Sequence, residues 1–215
     1  ADSLAQRYAT PLYVYSQTAI TDAFAEWTDA FGGADHLICF AVKANSNIAI
    51  LKLLASLGSG FDIVSGGELQ RVLAAGGNAG KVVFSGVGKS AAEIELALTA
   101  GIRCFNVESA SELALIEKIA RRLSKVAPIS VRLNPDVNAK THPYISTGLK
   151  ENKFGVDAEI AKTLYRASYE SDALLPVGID CHIGSQLTEI EPFIDSVKHL
   201  KNLVLDLRST GIELQ

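Results

Sequence analysis

The chain has 215 residues, of which 48% are hydrophobic and 20% charged, a composition that suits a globular domain with a sizeable core. The net charge of -4 argues against nucleic acid or an anionic membrane surface as the main partner, because both attract basic surfaces. The sequence contains no apolar run as long as a membrane span. Its three cysteines show no C-x-x-C spacing, so they suggest neither a disulfide framework nor a metal site and fit a reducing cytoplasm.

The first 31 residues contain two predicted elements. Residues 11–15, Pro-Leu-Tyr-Val-Tyr, predict a short strand, and residues 17–31 predict a helix. The strand lies outside the repeating pattern that follows. We therefore expect residues 1–16 to form an N-terminal segment whose strand belongs with a separate β-domain, and residues 17–215 to form the main domain.

From residue 37 onward one pattern repeats: an apolar run, a polar turn, an amphipathic helix and a glycine. The runs are almost continuously apolar, which is typical of parallel strands that are covered on both faces. The predicted strands are 37–42, 61–64, 82–84, 102–107, 129–133 and 177–182. Four S/T-x-x-E capping boxes predict helix starts, and they begin at Ser65, Ser90, Ser109 and Thr188.

The second half of the chain carries a long polar connection and a final amphipathic helix. The connection spans residues 134–155, and a loop of that length in a compact fold is usually functional or disordered. The helix shows one apolar stripe at helical spacing, and its members are Ile190, Phe193, Ile194, Val197, Leu200, Val204 and Leu207.

Six βα units in succession predict an α/β fold with a parallel sheet, for which two architectures compete. A doubly wound sheet normally has a glycine-rich turn after its first strand, whereas residues 44–47, Ala-Asn-Ser-Asn, contain no glycine. A (β/α)8 TIM barrel needs eight units and about 250 residues. We therefore predict an incomplete (β/α)8 barrel and expect the chain to be a piece of a longer protein.

Lys43 is the strand-end residue that the folding pattern explains least. It follows the run Leu-Ile-Cys-Phe-Ala-Val, which we expect to be buried, at the end of the strand where barrel enzymes place their active sites. An ammonium group there is costly unless it is paired or neutral, and a neutral amine is what Schiff-base chemistry uses. A lysine whose ammonium group reaches out to water explains the pattern equally well.

His182 also follows an apolar run, and it shares a strand face with Asp180 because alternate residues point the same way. The adjacent Cys181 points to the other face and cannot pair with it. A neutral imidazole at this position suits a base, a ligand or a stacking surface. A hydrogen-bonded structural histidine is the simpler alternative.

Other polar residues at strand ends have simple explanations. Ser65 and Ser109 are explained as helix caps alone. Residues 86–90, Gly-Val-Gly-Lys-Ser, end like a phosphate-binding P-loop, but Val83 stands where that motif requires its first glycine. This segment therefore predicts a turn into a capped helix.

Several strand-end motifs occur in the order that is typical of the diaminopimelate decarboxylases, which this chain resembles over almost its whole length. They are Ala41-Val42-Lys43-Ala44-Asn45, Gly60-Phe61-Asp62-Ile63-Val64-Ser65-Gly66-Gly67-Glu68, Asn134-Pro135-Asp136, Thr141-His142-Pro143-Tyr144-Ile145-Ser146-Thr147-Gly148, Lys153-Phe154-Gly155 and Gly178-Ile179-Asp180-Cys181-His182-Ile183-Gly184-Ser185-Gln186. The first motif is shared with ornithine and arginine decarboxylases. The His-Pro-Tyr and Cys-His-Ile-Gly-Ser-Gln segments are more specific.

The resemblance implies pyridoxal 5'-phosphate as cofactor and no metal, and it implies roles for five residues. Lys43 would bind the cofactor covalently, and His182 would stack on its pyridine ring. Ser185 would contact the cofactor near its ring substituents or its phosphate. Arg132 would reach the phenolic oxygen of the ring, and Asp62 would sit behind the lysine.

The resemblance also implies an activity: decarboxylation of meso-2,6-diaminopimelate to L-lysine and CO2 by a cytoplasmic homodimer in lysine biosynthesis. The family's phosphate loop, substrate-binding arginines and C-terminal β-domain would follow residue 215, so we expect the chain alone to be inactive. Two alternatives stay open. One is a decarboxylase of arginine, ornithine or carboxynorspermidine, and the other is a non-catalytic barrel protein that binds pyridoxal phosphate.

Overall fold

The computed structural model describes residues 2–135, 154–185 and 187–214. Its strands are β1 (Cys39–Ala41), β2 (Gly60–Ile63), β3 (Val82–Phe84), β4 (Cys104–Val107), β5 (Ala127–Leu133) and β6 (Leu174–Cys181). Its helices are α1 (Asp2–Tyr8), α2 (Gln17–Phe31), α3 (Ile48–Ser56), α4 (Gly66–Ala74), α5 (Ala91–Ala100), α6 (Ala110–Arg122), α7 (Ala158–Glu170) and α8 (Glu191–Ser209). Short 3-10 turns lie at Val42–Ala44 and Ala79–Lys81.

The strands form one parallel sheet in which their spatial order is the order of the chain, from β1 to β6. A doubly wound sheet reverses its strand order at a switch point, and this sheet does not. A helix follows each strand, from α3 after β1 to α8 after β6. This arrangement is six consecutive units of a (β/α)8 barrel, so the predicted incomplete barrel is confirmed. Within the described sheet, β1 and β6 are the edge strands.

The two faces of the sheet differ in chemistry because successive side chains point to opposite sides. One face packs against the helices through fully buried residues that include Phe61, Phe84, Phe105 and Ile129. The opposite face, called the inner face below, carries mostly polar residues at or just beyond the strand ends. They are Asp62, Ser85, Asn106, Glu108, Ser130, Arg132 and Asp180.

Three of the four predicted helix caps form. The N-cap serines Ser65, Ser90 and Ser109 each accept a hydrogen bond from the backbone N–H three residues later. At α5 the capping box is complete, because the Glu93 carboxylate also accepts from the backbone N–H of Ser90 at 3.0 Å.

The fourth predicted cap, Thr188 with Glu191, is wrong. Helix α8 begins at Glu191, and its N-cap is Ile190, which makes no side-chain cap bond. Pro192 in the first turn accounts for this start, because its fixed φ and missing N–H suit the first turn of a helix.

Only the second part of the predicted α8 stripe meets the core: Leu207 is buried and Leu200 is partly buried against it. The buried residues of α8 are Pro192, Ser196, Leu203 and Leu207. The first part of the predicted stripe, Ile190, Phe193, Ile194 and Val197, is exposed. The prediction is wrong for these residues because the main neighbours of α8 are α7 and β6. Since β6 is the last strand of the described sheet, no further described strand covers this part of the helix.

The N-terminal segment differs from its prediction as well. Residues 2–8 form α1, and residues 11–15 form no strand. Tyr13, Val14 and Tyr15 are exposed, since no neighbouring strand in the described structure pairs with this segment. The boundary after residue 16 and the pairing with a β-domain stay predictions. No described helix has the length and apolarity needed to cross a membrane.

Candidate active site

Parallel strands bring their carboxyl ends to the same edge of the sheet, and all five predicted site residues lie at that edge. Lys43 follows β1, Asp62 belongs to β2 and Arg132 to β5, while His182 and Ser185 follow β6. The predicted His142–Tyr144 loop segment and Gln186 lie outside the described residues.

Lys43 lies in the 3-10 turn that follows β1, and it is exposed. The expectation that it follows a fully buried strand is wrong, because all three residues of β1 are only half-buried. The reason is that β1 is an edge strand whose one described neighbour is β2. Solvent therefore reaches the amine, as the alternative interpretation of this lysine expected.

Asp62 occupies the inner face of β2 and is held by a short polar relay. Its Oδ1 accepts a 2.6 Å hydrogen bond from the Ser85 hydroxyl, which accepts a 3.0 Å hydrogen bond from Asn106 Nδ2. Burial raises the pKa of the Asp62 carboxyl, and the Ser85 hydrogen bond and the charges of His182 and Lys43 oppose that rise. The charges of Lys43 and His182 thus both act on this one carboxyl group.

Arg132 is paired with a residue that the motifs did not single out. Its Nη1 lies 3.0 Å from Glu108 Oε1, and the two side chains are only 10% and 2% exposed. The sequence did carry a signal for Glu108, because it continues the alternation of Cys104 and Asn106 beyond the end of β4. The alternation along β4 could not show that the partner of Glu108 is Arg132, because Arg132 belongs to another strand.

Lys89 forms a second buried ion pair at the same edge. Its fully buried ammonium group donates to Glu112 Oε1 at 2.7 Å, to the Gly86 carbonyl at 2.7 Å and to the Asn106 carbonyl at 2.8 Å. Burial raises the pKa of Glu112, and the charge of Lys89 opposes that rise. The predicted turn into a capped helix is confirmed here, and protein oxygens occupy the three N–H donors of the lysine.

His182 lies beside Asp180 at the end of β6, and its Nδ1 is 3.4 Å from Asp180 Oδ2. The imidazole is partly open, with 38% of the side chain exposed. Cys181 instead contacts Ser196 of α8, and burial raises the pKa of its thiol to about 11. The predicted separation of Cys181 and His182 onto opposite faces is thus confirmed. Ser185 is exposed on the loop beyond.

The residues at this edge fit a pyridoxal phosphate. Lys43 offers an accessible amine, His182 a partly open ring face and Arg132 a guanidinium group for an anionic oxygen. A further observation also points to a ligand: Glu108 Oε2 is buried and has no hydrogen-bond partner among the described residues. Buried polar atoms of this kind are rare in proteins unless a ligand or water meets them.

Known proteins match this chain over its whole length. The profile of the pyridoxal-binding domain of pyridoxal-dependent decarboxylases matches residues 17–215. The diaminopimelate decarboxylase of Neisseria meningitidis serogroup B is 58% identical over 212 residues, which are 99% of this chain and 51% of that protein. The diaminopimelate decarboxylase of Pseudomonas aeruginosa is 54% identical, with the same coverage of both chains.

Solved structures give the same result. The crystal structure of diaminopimelate decarboxylase from Helicobacter pylori complexed with L-lysine has a TM-score of 0.97 and 50% identity, and the match covers 100% of this chain and 54% of that one. The chain spans about half the length of the curated relatives that it matches.

Proposed function

The chain belongs to the pyridoxal-dependent decarboxylases, as the pyridoxal-binding domain of that family, and from this premise we propose that its protein decarboxylates meso-2,6-diaminopimelate to L-lysine. The cofactor of the family is pyridoxal 5'-phosphate. The observation that carries the proposal is that Lys43, Asp62, Arg132 and His182 all lie at the carboxyl edge of one parallel sheet. The substrate follows from relatives at 50–58% identity that are diaminopimelate decarboxylases.

Each predicted residue has a distinct task in this proposal. Lys43 Nζ holds the cofactor covalently, and His182 supports the ring through its open face. Arg132 donates to the phenolic oxygen, and Ser185 contacts the cofactor near its ring substituents or phosphate. When bound, pyridoxal phosphate supplies an electron sink for the electron pair that the departing carboxylate leaves behind.

Asp62 controls a proton at Lys43 in this scheme. Burial raises its pKa, and the hydrogen bond from the Ser85 hydroxyl to Oδ1 keeps the carboxyl group oriented. From the strand that pairs with β1, this carboxyl group would give and take a proton when the Lys43 amine is released or reattached.

We extend the proposal to the setting of the whole protein, which we expect to act as a cytoplasmic homodimer in lysine biosynthesis. Residues 1–16 would belong with a β-domain. The exposed apolar side chains of Leu12, Tyr13 and Val14 support this assignment, because apolar groups in one short segment usually meet a partner surface.

A substrate screen tests the proposed activity in the protein expressed from its complete gene. CO2 release would be measured with meso-diaminopimelate, L-lysine, L-ornithine and L-arginine. We expect kcat/KM for meso-diaminopimelate to exceed that for each of the others by about tenfold or more. Lys43→Ala should abolish turnover, while Lys52→Ala, at an exposed lysine of α3, should retain it.

Two results would contradict the proposal. A higher kcat/KM with ornithine or arginine would assign the protein to another basic amino acid. Bound cofactor without CO2 release from any of these acids would support the non-catalytic alternative.

A further inference from the structure

Two buried ion pairs, Arg132–Glu108 and Lys89–Glu112, are linked into one network at the carboxyl edge of the sheet. The link is the backbone N–H of Glu108, which donates to Glu112 Oε2 at 3.3 Å. Gly86 is held from both sides, because its N–H donates to Glu108 Oε1 at 3.0 Å and its carbonyl accepts from Lys89. The network thereby joins the β3–α5 loop, the β4–α6 loop and the end of β5.

Stability is a poor explanation for such a network. Replacing a buried ion pair with well-packed apolar residues is often neutral or even stabilising, because the desolvation of both charges offsets their attraction. Glu108 adds to that cost, since its Oε2 is buried without a hydrogen-bond partner among the described residues. A role in fixing the position of another charged group therefore explains the Glu108 carboxylate better than a role in stability does.

The group that it fixes is the guanidinium of Arg132. Glu108 Oε1 holds Nη1 at 3.0 Å, and Cζ lies 5.4 Å from the centre of the Phe154 ring. One contact sets the direction of the side chain, and the other limits the tilt of the guanidinium plane. The Lys89 ammonium group, in contrast, cannot contact a ligand, because it is fully buried and donates hydrogen bonds to three protein oxygens.

We infer that Glu108 is a positioning residue of the cofactor site, which holds Arg132 toward the anionic oxygen of pyridoxal phosphate, and that the Lys89–Glu112 pair anchors Glu108. This inference rests on the proposed function. It assigns a task to three residues, Lys89, Glu108 and Glu112, that the strand-end motifs left without one.

A double-mutant cycle tests the inference through cofactor binding, independently of turnover. The variants are Glu108→Gln, Arg132→Gln and the double variant, each prepared from the complete gene and freed of cofactor. Spectrophotometric titration with pyridoxal phosphate gives Kd, and the absorbance of the bound cofactor is followed against pH. The control is Glu117→Gln, because Glu117 forms a 2.8 Å pair with Arg121 on the exposed side of α6.

We expect each single variant to raise Kd about tenfold and the double variant also to raise it only about tenfold. The reason is that both substitutions weaken the same contact, the one between Arg132 and the anionic oxygen of the cofactor. Glu108→Gln and Arg132→Gln should shift the pH dependence of the absorbance in the same direction. Glu117→Gln should leave Kd and spectrum unchanged. Should Glu108→Gln fail to fold, Glu108→Asp keeps the charge but withdraws it from Arg132, and a raised Kd is again expected.

The contradictory outcomes separate the two proposals. If the wild-type protein binds cofactor through Lys43 but Glu108→Gln and Glu108→Asp both bind it with unchanged Kd and spectrum, the inference is wrong and the proposed function stands. An increase of about a hundredfold in the double variant would also overturn it, because independent effects multiply. A wild-type protein that binds no pyridoxal phosphate would overturn both.

Discussion

Asp62 illustrates how a single residue is tuned at this site. Its carboxyl group is held on the inner face of β2 by Ser85, and burial outweighs the attraction of Lys43 and His182, so that its pKa is raised. A carboxyl group with a raised pKa is more stable in the folded protein when protonated. Its contribution to folding is therefore full at low pH and is lost as the pH rises through the pKa of the folded state.

This linkage predicts a pH-dependent effect of Asp62→Asn. The asparagine cannot ionise, so the free energy of unfolding of the variant, relative to wild type, should increase as the pH rises from about 4. Chemical denaturation between about pH 3 and pH 7 measures that difference. A difference that stays flat or falls over this range would show that Asp62 ionises freely in the folded protein.

Glu117→Gln is the control of opposite sign. Hydrogen bonds from Ser171 and Arg121 lower the pKa of Glu117, so its contribution to folding is present at neutral pH and is lost as the pH falls. The free energy of unfolding of this variant, relative to wild type, should therefore decrease as the pH rises. Opposite slopes for the two variants would separate these local effects from the general response of the protein to acid.

At the level of single residues, the sequence predicted where the candidate residues lie in the fold better than it predicted their exposure and their contacts. The placement of Lys43, Arg132 and His182 at one edge was predictable because the strand ends of a parallel sheet lie together, and their roles at a cofactor site stay predictions. The burial of β1 was overestimated, and the two interpretations of Lys43 stayed open, because an apolar run does not reveal whether its strand lies at a sheet edge. The Glu108–Arg132 contact was missed because it joins residues from two different strand ends.

At the scale of elements, a side chain of α7 supplies hydrogen bonds to β5 and β6 where the pairing of these two strands is irregular. The pairing of β5 with β6 shifts register between Ile129 and Ser130, where Pro176 and Gly178 are their successive partners. Tyr165 of α7 fills this place: its hydroxyl donates to the Gly178 carbonyl at 2.7 Å and accepts from the Val131 N–H at 3.1 Å. The side chain is fully buried and takes the place of a regular strand-to-strand bond.

Tyr165→Phe is therefore expected to destabilise the protein by about 2 kcal/mol, because it leaves a buried N–H and a partly buried carbonyl without their partner. The control is Tyr169→Phe on the same helix, where the side chain is exposed and a change within about 0.5 kcal/mol is expected. Urea denaturation measures both. Equal stability of the two variants would mean that the Tyr165 hydroxyl is dispensable to the β5–β6 pairing.

The sequence predicted the elements themselves well and their exact packing less well. All six strands were predicted, although β6 begins at Leu174, three residues earlier than expected, and includes Pro176 at the irregular pairing. Three of the four helix caps were correct because their chemistry is local. The exposure of the first part of the α8 stripe was missed because periodicity identifies an apolar face but not the element that covers it.

At the scale of the whole molecule, strand order decides the architecture. The sheet runs in sequence from β1 to β6 with a helix after each strand, and this places every strand end at one polar edge. Repetition of the βα unit predicted a parallel sheet, and the absence of a glycine-rich turn at residues 44–47 favoured the barrel order over a doubly wound one. The composition and charge of the chain could not have named a substrate, and only the strand-end motifs and the relatives at 50–58% identity lead to one.

The most direct test of this account is to map the lysine that carries the cofactor. The protein expressed from its complete gene would be mixed with pyridoxal phosphate, reduced with borohydride, digested and analysed by mass spectrometry. We expect one cofactor adduct per chain, on the peptide that contains Lys43, and none in Lys43→Ala. The absence of an adduct, or an adduct on another lysine that persists in Lys43→Ala, would contradict the assignment of the site.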